Sequence, residues 1–333
     1  MTCRTGVSIK RFSGQKGSRL HRALVSGITG HLGRQLAVQL TASGIETHGL
    51  TRKDFVHPPP GLETVRLHRV SDETDVIIRC VCEVQPDIVF HLAAVARRDH
   101  QPDDIRPYIE TNVLFGTQLL EGMKHSNCRR IVLAGSYLQH FDTDAYRPFN
   151  LYAATKQAFE DIVTFYADSY GFSGIRLTLA DIYSEHDTRP KLMTDIARAW
   201  ATGTPLRLHA DEAWIDPIHV EDAAAACLRA GLLIEQGGVP SGALSRYSAS
   251  SGGDISATDI VRLFETLGSR RIRIERTTGG GTLRKIRPRR GESLPGWAPH
   301  IPLEHGITRI IKRHAQPQNG PPSSPTERLS TAL

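Results

Sequence analysis

Cysteine is scarce in this sequence, and no long apolar run is present. The five cysteines among 333 residues fit neither a disulfide framework nor the paired spacing of a zinc site. No apolar run approaches the roughly 18 residues that cross a bilayer, and the basic N-terminus lacks the apolar middle of a signal peptide. We therefore expect a cytoplasmic protein with no metal site and no membrane partner.

Excess charge of one sign is confined to the N-terminus. The net charge is +6, and residues 1–22 carry six basic residues and no acidic one, whereas the other 35 basic residues equal the 35 acidic residues in number. We do not expect a nucleic-acid partner, because a polyanion needs a basic face. Residues 1–21 are predicted to form a disordered basic tail. Residues 313–333 are rich in Pro, Ser, Gln and Thr, which predicts a second disordered tail.

The chain has enough apolar residues, 39% of the total, to build a large core. Short runs rich in β-branched residues, such as "ALVSG" and "PDIVFHLA", alternate with longer patterns of helical spacing up to about residue 180. This alternation predicts an α/β fold in which a parallel sheet carries helices on both faces. Beyond residue 180, Pro- and Gly-rich joints interrupt the pattern, and we predict a smaller mixed region there.

Three glycines follow the first predicted strand in "ALVSGITGHLGRQLAVQL". Gly27, Gly30 and Gly33 lie between this strand and a helix. A dinucleotide pyrophosphate at a helix N-terminus needs a tight turn, a close backbone approach and close helix packing, and glycine suits all three. The spacing is also compatible with an ordinary turn after a strand. We predict a cofactor-binding turn made of Gly27, Thr29, Gly30, His31, Leu32 and Gly33.

The residue expected to contact the adenosine ribose is not acidic. An acid at the end of the next strand would accept a hydrogen bond from the ribose 2′-hydroxyl, but "THGLTRKDF" has Thr51 there, followed by Arg52 and Lys53. These cations suit a 2′-phosphate. NADP(H) is therefore favoured over NAD(H). NAD(H), or a solvated loop with two basic residues, stays as an alternative.

A tyrosine and a lysine stand four residues apart in "NLYAATKQAFEDI". Tyr152 and Lys156 share one face of a predicted helix, and the strand "IVLAGSY" brings Ser136 to the same sheet edge. An ammonium beside a phenol is expected to lower the phenol pKa from about 10 toward neutrality, which suits an acid or a base. The Ser136 hydroxyl would hydrogen-bond a substrate oxygen. Without Ser136, the pair would be assigned to the helix surface.

These motifs together resemble the extended short-chain dehydrogenase/reductase superfamily, in its NAD-dependent epimerase/dehydratase branch. The resemblance includes the glycine trio, "HLAA" at 91–94, "TNVLFGT" with Asn112, and the set of Ser136, Tyr152 and Lys156. It implies a doubly wound Rossmann sheet, an NAD(P)-dependent oxidoreductase or epimerase, and a smaller C-terminal domain that binds a nucleotide sugar.

The resemblance also assigns roles to individual residues. It implies that Tyr152 donates or accepts a proton and that Lys156 also holds the nicotinamide ribose. Asn112 is expected to order backbone and water, and His91 to be structural. The predicted cofactor-binding set is completed by Leu92, Ala93, Ala94, Tyr152 and Lys156.

Three C-terminal blocks narrow the resemblance. "YSEHDTRPKLM", "WIDPIHVEDAAAA" and "LPGWAPHIPLEHGI" resemble members that reduce the 4-keto group of nucleotide-linked 6-deoxyhexoses. This implies an NADPH-dependent reduction in which Tyr152 protonates the oxygen at C4, a step of deoxysugar biosynthesis. The residues implied to contact the nucleotide-sugar substrate are Ser136, Tyr137, Thr188, Arg189 and Lys191.

Two other functions stay open. A nucleotide-sugar 4-epimerase uses the same chemistry reversibly, and a non-catalytic Rossmann protein would bind NADP(H) as a sensor. Ile215 stands where many epimerases have a phosphate-binding arginine, which counts against the epimerase. The basic stretch 270–290 suits a diphosphate or a solvated face. His219 is expected to be architectural.

The resemblance implies a domain organisation and a dimer. We predict an NAD(P)-binding Rossmann domain over residues 22–180, with a return segment near 216–248, and a substrate domain mainly over 181–312. The helices that start near residues 103 and 151 usually form a four-helix contact in this family, so a homodimer is expected. The nucleotide, the sugar and the stereochemistry at C4 do not follow from the sequence.

Overall fold

The structure is a computed structural model. It describes residues 20–97, 99–140, 143–209, 214–277 and 291–315. The two predicted disordered tails therefore lie almost entirely outside the described residues, and so does most of the basic stretch 270–290. None of the described helices is both long and apolar enough to cross a bilayer.

Seven strands form one sheet in which all neighbours are parallel. The strands of the described residues are β1 (Arg22–Ser26), β2 (Glu46–Thr51), β3 (Arg66–Arg69), β4 (Ile88–His91), β5 (Arg130–Ser136), β6 (Ser173–Leu179), β7 (Asp181–Tyr183), β8 (Leu206–His209), β9 (Trp214–Ile215), β10 (Pro217–His219), β11 (Leu244–Ala249), β12 (Ile255–Ser256) and β13 (Ile274–Thr277). The sheet order is β11-β6-β5-β4-β1-β2-β3. This is the doubly wound Rossmann arrangement, and it confirms the predicted fold class.

Helices cover both faces of the sheet. They are α1 (His31–Ala42), α2 (Thr74–Val84), α3 (Ile105–Ile109), α4 (Phe115–His125), α5 (Leu151–Tyr170), α6 (Leu192–Thr202), α7 (Val220–Glu235), α8 (Ala257–Gly268) and α9 (Leu303–Ala315). Residues of α1 and α7 share one core cluster, and residues of α2, α4 and α5 share the other. Between them the inner strands are buried on both sides, as in β4, which explains its continuous apolar run, whereas the edge strand β3 is partly exposed. A π-helical turn, Glu110–Leu114, joins α3 and α4.

The strand order reverses between β1 and β4. Ser26 at the end of β1 pairs in register with Leu50 of β2 on one side and with His91 of β4 on the other. In doubly wound sheets, ligands bind at the carboxyl ends of the strands at such a reversal. The glycine turn, the "HLAA" segment and Ser136 all follow strands at this edge.

A smaller core lies beyond β6. Helices α6, α8 and α9 contribute Trp200, Phe264 and Ile307 to it, and the pairs β8–β13 and β9–β12 belong to the same region. Strands β7 and β10 pair next to it. The chain then returns through α7 to β11, which is the edge strand of the main sheet. The domain boundaries stay a prediction.

Candidate active site

The glycine turn between β1 and α1 is too tight for side chains. Gly27 has a φ of 71°, and a Cβ atom on it would lie 2.6 Å from the backbone nitrogen of Ala93. A Cβ on Gly33 would lie 2.1 Å from the carbonyl oxygen of Gly27. Gly30 is the N-cap of α1 and offers no side-chain cap to the first N–H groups of the helix. These groups and the close backbone approach fit the pyrophosphate of a dinucleotide.

Thr29 and Leu32 support the turn from within. The carbonyl oxygen of Thr29 accepts a hydrogen bond from Nε of Arg34 at 2.9 Å. Leu32 packs against the core cluster on the α1 face. Both residues therefore contribute backbone position and apolar packing at the predicted cofactor turn.

The end of β4 lies against the end of β1. The Nδ1 atom of His91 is 2.8 Å from the Ser26 hydroxyl, and its ring packs on Phe159. Burial lowers the pKa of His91 to about 3, and the charge of Lys156 adds to this. The N–H of Ala93 donates to the Ser26 hydroxyl at 3.5 Å. His91 thus ties the two strands together as a neutral ring.

Asn112 orders the chain that follows "HLAA". Its Oδ1 accepts a hydrogen bond from the N–H of Val95 at 2.8 Å, and its Nδ2 donates to the carbonyl of Val95 at 2.9 Å and to the Thr155 hydroxyl at 2.9 Å. The prediction that Asn112 orders backbone is confirmed. Ala94, next to this anchor, is exposed. The π-helical turn carries Asn112, as such turns often carry functional residues.

Ser136 and Tyr152 meet at the carboxyl edge. Ser136 ends β5, and Tyr152 lies in the first turn of α5, which Asn150 caps. The Ser136 hydroxyl accepts a hydrogen bond from the N–H of Leu138 and is one of the groups that act on the pKa of the phenol. Burial raises the pKa of Tyr152 to about 12, and the proximity of Tyr108 adds to this, while the Ser136 hydrogen bond and the charge of Arg189 oppose it. The predicted lowering toward neutrality is wrong, because the lost hydration of the phenolate outweighs nearby positive charge.

Lys156 lies one turn further along α5 and is 2% exposed. Burial lowers its pKa to about 8; the carboxylate of Glu160 raises it, and the charge of Arg176 lowers it. At neutral pH the ammonium is therefore still protonated. The residues that act most on the pKa of Tyr152 are Tyr108, Ser136 and Arg189, not Lys156. The spacing of Tyr152 and Lys156 alone therefore predicted the wrong direction for the shift of this pKa.

Arg52 and Lys53 follow β2 at the expected place. The Arg52 guanidinium lies 3.1 Å from the carboxylate of Asp72, and Lys53 is exposed. Arg52 and Arg69 line a cavity of about 430 Å³. Sequence reasoning missed Arg69, which ends β3 and pairs in register with Thr51. Its position at the end of the strand next to β2 was the signal.

The loop between β7 and α6 contacts the glycine turn. Arg189 donates two hydrogen bonds to the Asp187 carboxylate, at 2.8 and 2.6 Å. Nε2 of His31 is 3.8 Å from the same carboxylate. Burial lowers the pKa of His31 to about 4, opposed by Asp187 and reinforced by Arg189 and Lys191. The predicted cofactor turn and the predicted substrate loop therefore meet at Asp187, which sequence reasoning missed.

Tyr137 and Lys191 converge on Asp181. Burial raises the pKa of Asp181, while the charge of Lys191 and a hydrogen bond from Tyr137 oppose this rise. Burial also lowers the pKa of Lys191. Thr188 is exposed. Asp181 was missed as well, because no pattern in the sequence pairs it with Lys191.

His219 links the start of α7 to the substrate region. Its Nε2 is 3.1 Å from the Glu185 carboxylate, and its Nδ1 accepts a hydrogen bond from the N–H of Glu221. The architectural role predicted for His219 is confirmed. The side chains of Glu185, His219 and Glu221 are close enough to one another to hold a metal ion. The positive guanidinium of Arg309, however, already pairs with both carboxylates, at 2.7 Å from Glu221 and 4.0 Å from Glu185.

The described part of the basic stretch forms local contacts. Arg270 donates to the carbonyl of Ala201, and Arg271 donates to the carboxylate of Glu265. Residues 278–290 lie outside the described residues, and with them most of the charge proposed for a diphosphate.

The profile of the NAD dependent epimerase/dehydratase family matches residues 23–241. The UDP-glucose 4-epimerase of Mycolicibacterium smegmatis is 23% identical over 312 residues, covering 87% of this chain and 97% of that protein. The CDP-abequose synthase of Salmonella typhimurium is 24% identical over 310 residues, covering 87% of this chain and 97% of that protein. Both relatives are thus matched almost from end to end.

Solved structures share the fold. MoeE5 in complex with UDP-glucose and NAD superposes with a TM-score of 0.75 at 21% identity, covering 88% of this chain and 98% of that one. The chain belongs to the NAD dependent epimerase/dehydratase family, a branch of the extended short-chain dehydrogenases/reductases. It is an NAD(P)-dependent enzyme with a Rossmann fold.

Proposed function

We propose that this enzyme uses NADPH to reduce the 4-keto group of a nucleotide-diphosphate 6-deoxyhexose. The observation that carries the proposal is the placement of Ser136, the last residue of β5, beside Tyr152 in the first turn of α5, with a phenol whose pKa burial raises to about 12. A phenol that stays protonated at neutral pH is suited to donate a proton to a developing alkoxide. The similarity to CDP-abequose synthase over nearly the whole chain supports this class of reaction.

Three residues carry the proton step in this proposal. The Ser136 hydroxyl hydrogen-bonds the oxygen at C4, and Tyr152 donates its proton to that oxygen. Positioned proton transfer of this kind typically contributes about 10²- to 10⁴-fold to the rate. The buried ammonium of Lys156 would hold the nicotinamide ribose and would stabilise the tyrosinate that the transfer leaves. NADPH, when bound, supplies the hydride that reaches C4.

The cofactor residues follow from the turns at the sheet edge. The backbone of the glycine turn, with Thr29, His31 and Leu32, would hold the pyrophosphate, and Leu92, Ala93 and Ala94 would border the nicotinamide half. Arg52 and Lys53, joined by Arg69, would bind the 2′-phosphate. NADPH is favoured because Thr51 brings no carboxylate to the end of β2, and because the two guanidinium groups that line the cavity beside it outnumber its one carboxylate, that of Asp72.

The substrate contacts come from Tyr137 and the loop before α6. Thr188, Arg189 and Lys191 would bind the nucleotide sugar together with Ser136. Both cations in this set already interact with carboxylates: Arg189 with Asp187, and Lys191 with Asp181. Their contribution is therefore directional hydrogen bonding to phosphate or hydroxyl oxygens more than net positive charge.

The test is NADPH oxidation followed at 340 nm with CDP- and dTDP-4-keto-6-deoxyhexoses, with NADH in parallel. We expect turnover with NADPH, and its loss in Tyr152→Phe, which removes the proton donor and keeps the ring. Tyr170→Phe, on the same helix and away from the sheet edge, is the matched control and should retain turnover.

Other outcomes distinguish the alternative functions. Interconversion of UDP-hexoses without net NADPH consumption would show that the enzyme is a 4-epimerase instead. The similarity to UDP-glucose 4-epimerase supports this alternative. No turnover, with NADPH binding that is equal in wild type and Tyr152→Phe, would replace it with a non-catalytic sensor.

A further inference from the structure

A buried carboxylate lies beneath the site and takes no part in the proton step. Glu160 is on α5, one turn after Lys156, and is 2% exposed. Its carboxylate is 3.2 Å from Nε of Arg176 on β6 and accepts a hydrogen bond from Nε of Arg246 on β11. A charge in the core is costly unless it is paired and hydrogen-bonded. Two strands therefore supply cationic partners to this one group.

Gln139 connects Glu160 to Ser136. The Gln139 side chain is fully buried; its nitrogen donates to Glu160 at 3.0 Å, and its oxygen accepts from the N–H of Ser136 at 2.9 Å. A carboxylate accepts hydrogen bonds only, so it determines which end of the amide faces it. The other end, the carbonyl oxygen, is then directed to the backbone of Ser136.

Glu160 also lies one helical turn from Lys156 on α5, a spacing that puts both side chains on the same helix face. The charged and titratable groups around this ammonium are Glu160 on the same helix, Arg176 on β6 and His91 on β4. Within this group Glu160 favours the protonated amine, whereas burial and Arg176 disfavour it. Arg176 has little room to move away, since a Cβ on Gly135 would lie 2.7 Å from its Cδ. The positive charge of Lys156 thus depends on the carboxylate.

We propose that Glu160 is a positioning residue of this enzyme: through Gln139 it orients Ser136, and through its charge it keeps Lys156 protonated. The effect on turnover rests on the proposed reductase function. The effect on Lys156 does not, because it requires neither substrate nor cofactor. The two parts are therefore tested separately.

The charge of Lys156 is measured by NMR of the full chain labelled with ¹³C at lysine Cε. The chain has eight lysines, and the Lys156 signal is assigned by its loss in Lys156→Met. We expect Glu160→Gln to lower the titration midpoint of Lys156 by about one pH unit or more. Asp161→Asn, which changes the neighbouring exposed acid, should leave the midpoint unchanged. An unchanged midpoint in folded Glu160→Gln would overturn the proposal.

A second variant keeps the test informative if Glu160→Gln does not fold. The Arg246 side chain is half-exposed and pairs with Glu160. Arg246→Gln therefore removes one cation, and the buried Glu160 carboxylate keeps Arg176 as its partner. The carboxylate then acts more strongly on Lys156, and we expect its titration midpoint to rise. A midpoint that falls or stays constant would contradict the electrostatic role.

Kinetics separate positioning from general stability. In Glu160→Gln, we expect the alkaline limb of kcat to move to lower pH with the substrate KM within about twofold of wild type, and Glu160→Asp should restore part of the shift. Gln139→Met removes the link between Glu160 and Ser136, together with a hydrogen bond to Gln157, and keeps the Glu160 charge. It should lower kcat at all pH values and leave the limb in place. A uniform loss without a shift in Glu160→Gln would indicate a structural role and overturn the proposal. Inactive wild type with the expected NMR shifts would instead refute the reductase function.

Discussion

The Tyr152 phenol and the Lys156 ammonium respond to burial in opposite directions. Lost hydration disfavours the phenolate, which raises the Tyr152 pKa to about 12, and it disfavours the ammonium, which lowers the Lys156 pKa to about 8. Both groups are therefore protonated at neutral pH. A protonated phenol can give up its proton to an anionic oxygen, and the Ser136 hydroxyl and the charge of Arg189 both favour the phenolate that remains.

At the same scale, His91 allows a prediction about acid stability. Its pKa is about 3 when folded and returns to the ordinary 6.5 on unfolding. Below pH 6.5 the unfolded chain binds a proton that the folded chain does not, so stability falls as the pH drops toward 3. One such group contributes up to about 1.4 kcal/mol per pH unit. We expect His91→Asn to flatten the pH dependence of the urea-unfolding midpoint between about pH 7 and 5, followed by circular dichroism.

The control for His91 is a histidine on the surface. His305 is exposed on α9, and His305→Asn should leave the pH dependence as in wild type. Since Ser26 loses its imidazole partner in His91→Asn, the absolute stability will fall at every pH, and only the slopes are compared. Equal slopes in wild type and His91→Asn would contradict the prediction.

Single residues show where sequence reasoning stops. The spacing of Tyr152 and Lys156, with Ser136 at a strand end, was sufficient to predict that the three residues lie at one edge of the sheet. The direction of the phenol pKa was not, because desolvation depends on what covers the ring. Asp181 and Asp187 were missed for a related reason: Tyr137 and His31 reach them from distant parts of the chain, and no periodic pattern encodes such contacts.

At the scale of elements, the turn between β1 and α1 predicts the effect of one methyl group. In Gly33→Ala the new Cβ would lie 2.1 Å from the carbonyl oxygen of Gly27 and 2.8 Å from Cα of Ile28. Both neighbours are backbone, so the turn must open. We expect NADPH binding to weaken by about tenfold or more in isothermal titration calorimetry, which is about 1.4 kcal/mol. Gly253→Ala is the control, since a Cβ there meets nothing within 4 Å. Unchanged affinity in Gly33→Ala would count against the cofactor turn.

The ends of β2 and β3 predict cofactor selectivity. Arg52→Ser and Arg69→Ser each remove one guanidinium from the cavity beside Thr51. Charge-assisted hydrogen bonds to phosphate are strong, but both side chains are partly solvated, so we expect about five- to tenfold weaker NADPH binding and unchanged NADH binding. Fluorescence titration measures both affinities. Arg106→Ser, on the exposed side of α3, should change neither. Equal losses for the two cofactors would argue against a 2′-phosphate site.

Elements with a strong period were predictable, and irregular ones were not. The alternation of buried runs and helical patterns up to about residue 180 predicted the parallel sheet, because inner strands such as β4 are buried on both faces. The π-helical turn at Glu110–Leu114 gives no periodic signal, since it adds one residue to an otherwise regular helix. The short pairs around β8, β9, β12 and β13 are too brief for a period to appear.

At the scale of the whole molecule, apolar side chains remain exposed along one helix. Ile105, Ile109 and Leu114 are 46 to 50% exposed on the helix formed by α3, the π-helical turn and α4. The extra residue of the turn keeps Leu114 in line with the other two, which are four residues apart. Phe165 on the neighbouring α5 is 55% exposed. These two helices are the ones expected to form the dimer contact.

We therefore expect a homodimer that a single charge disrupts. Ile109→Asp places a carboxylate among Ile105 and Leu114, where burial against a second copy would strip its hydration at a cost of several kcal/mol. Multi-angle light scattering should give twice the 36.7 kDa chain mass for wild type and the chain mass for the variant. Val38→Asp, at a similarly exposed position of α1, is the control and should stay dimeric. A wild-type monomer would show that these apolar side chains are simply solvated, and a dimer that survives Ile109→Asp would place the contact on another face.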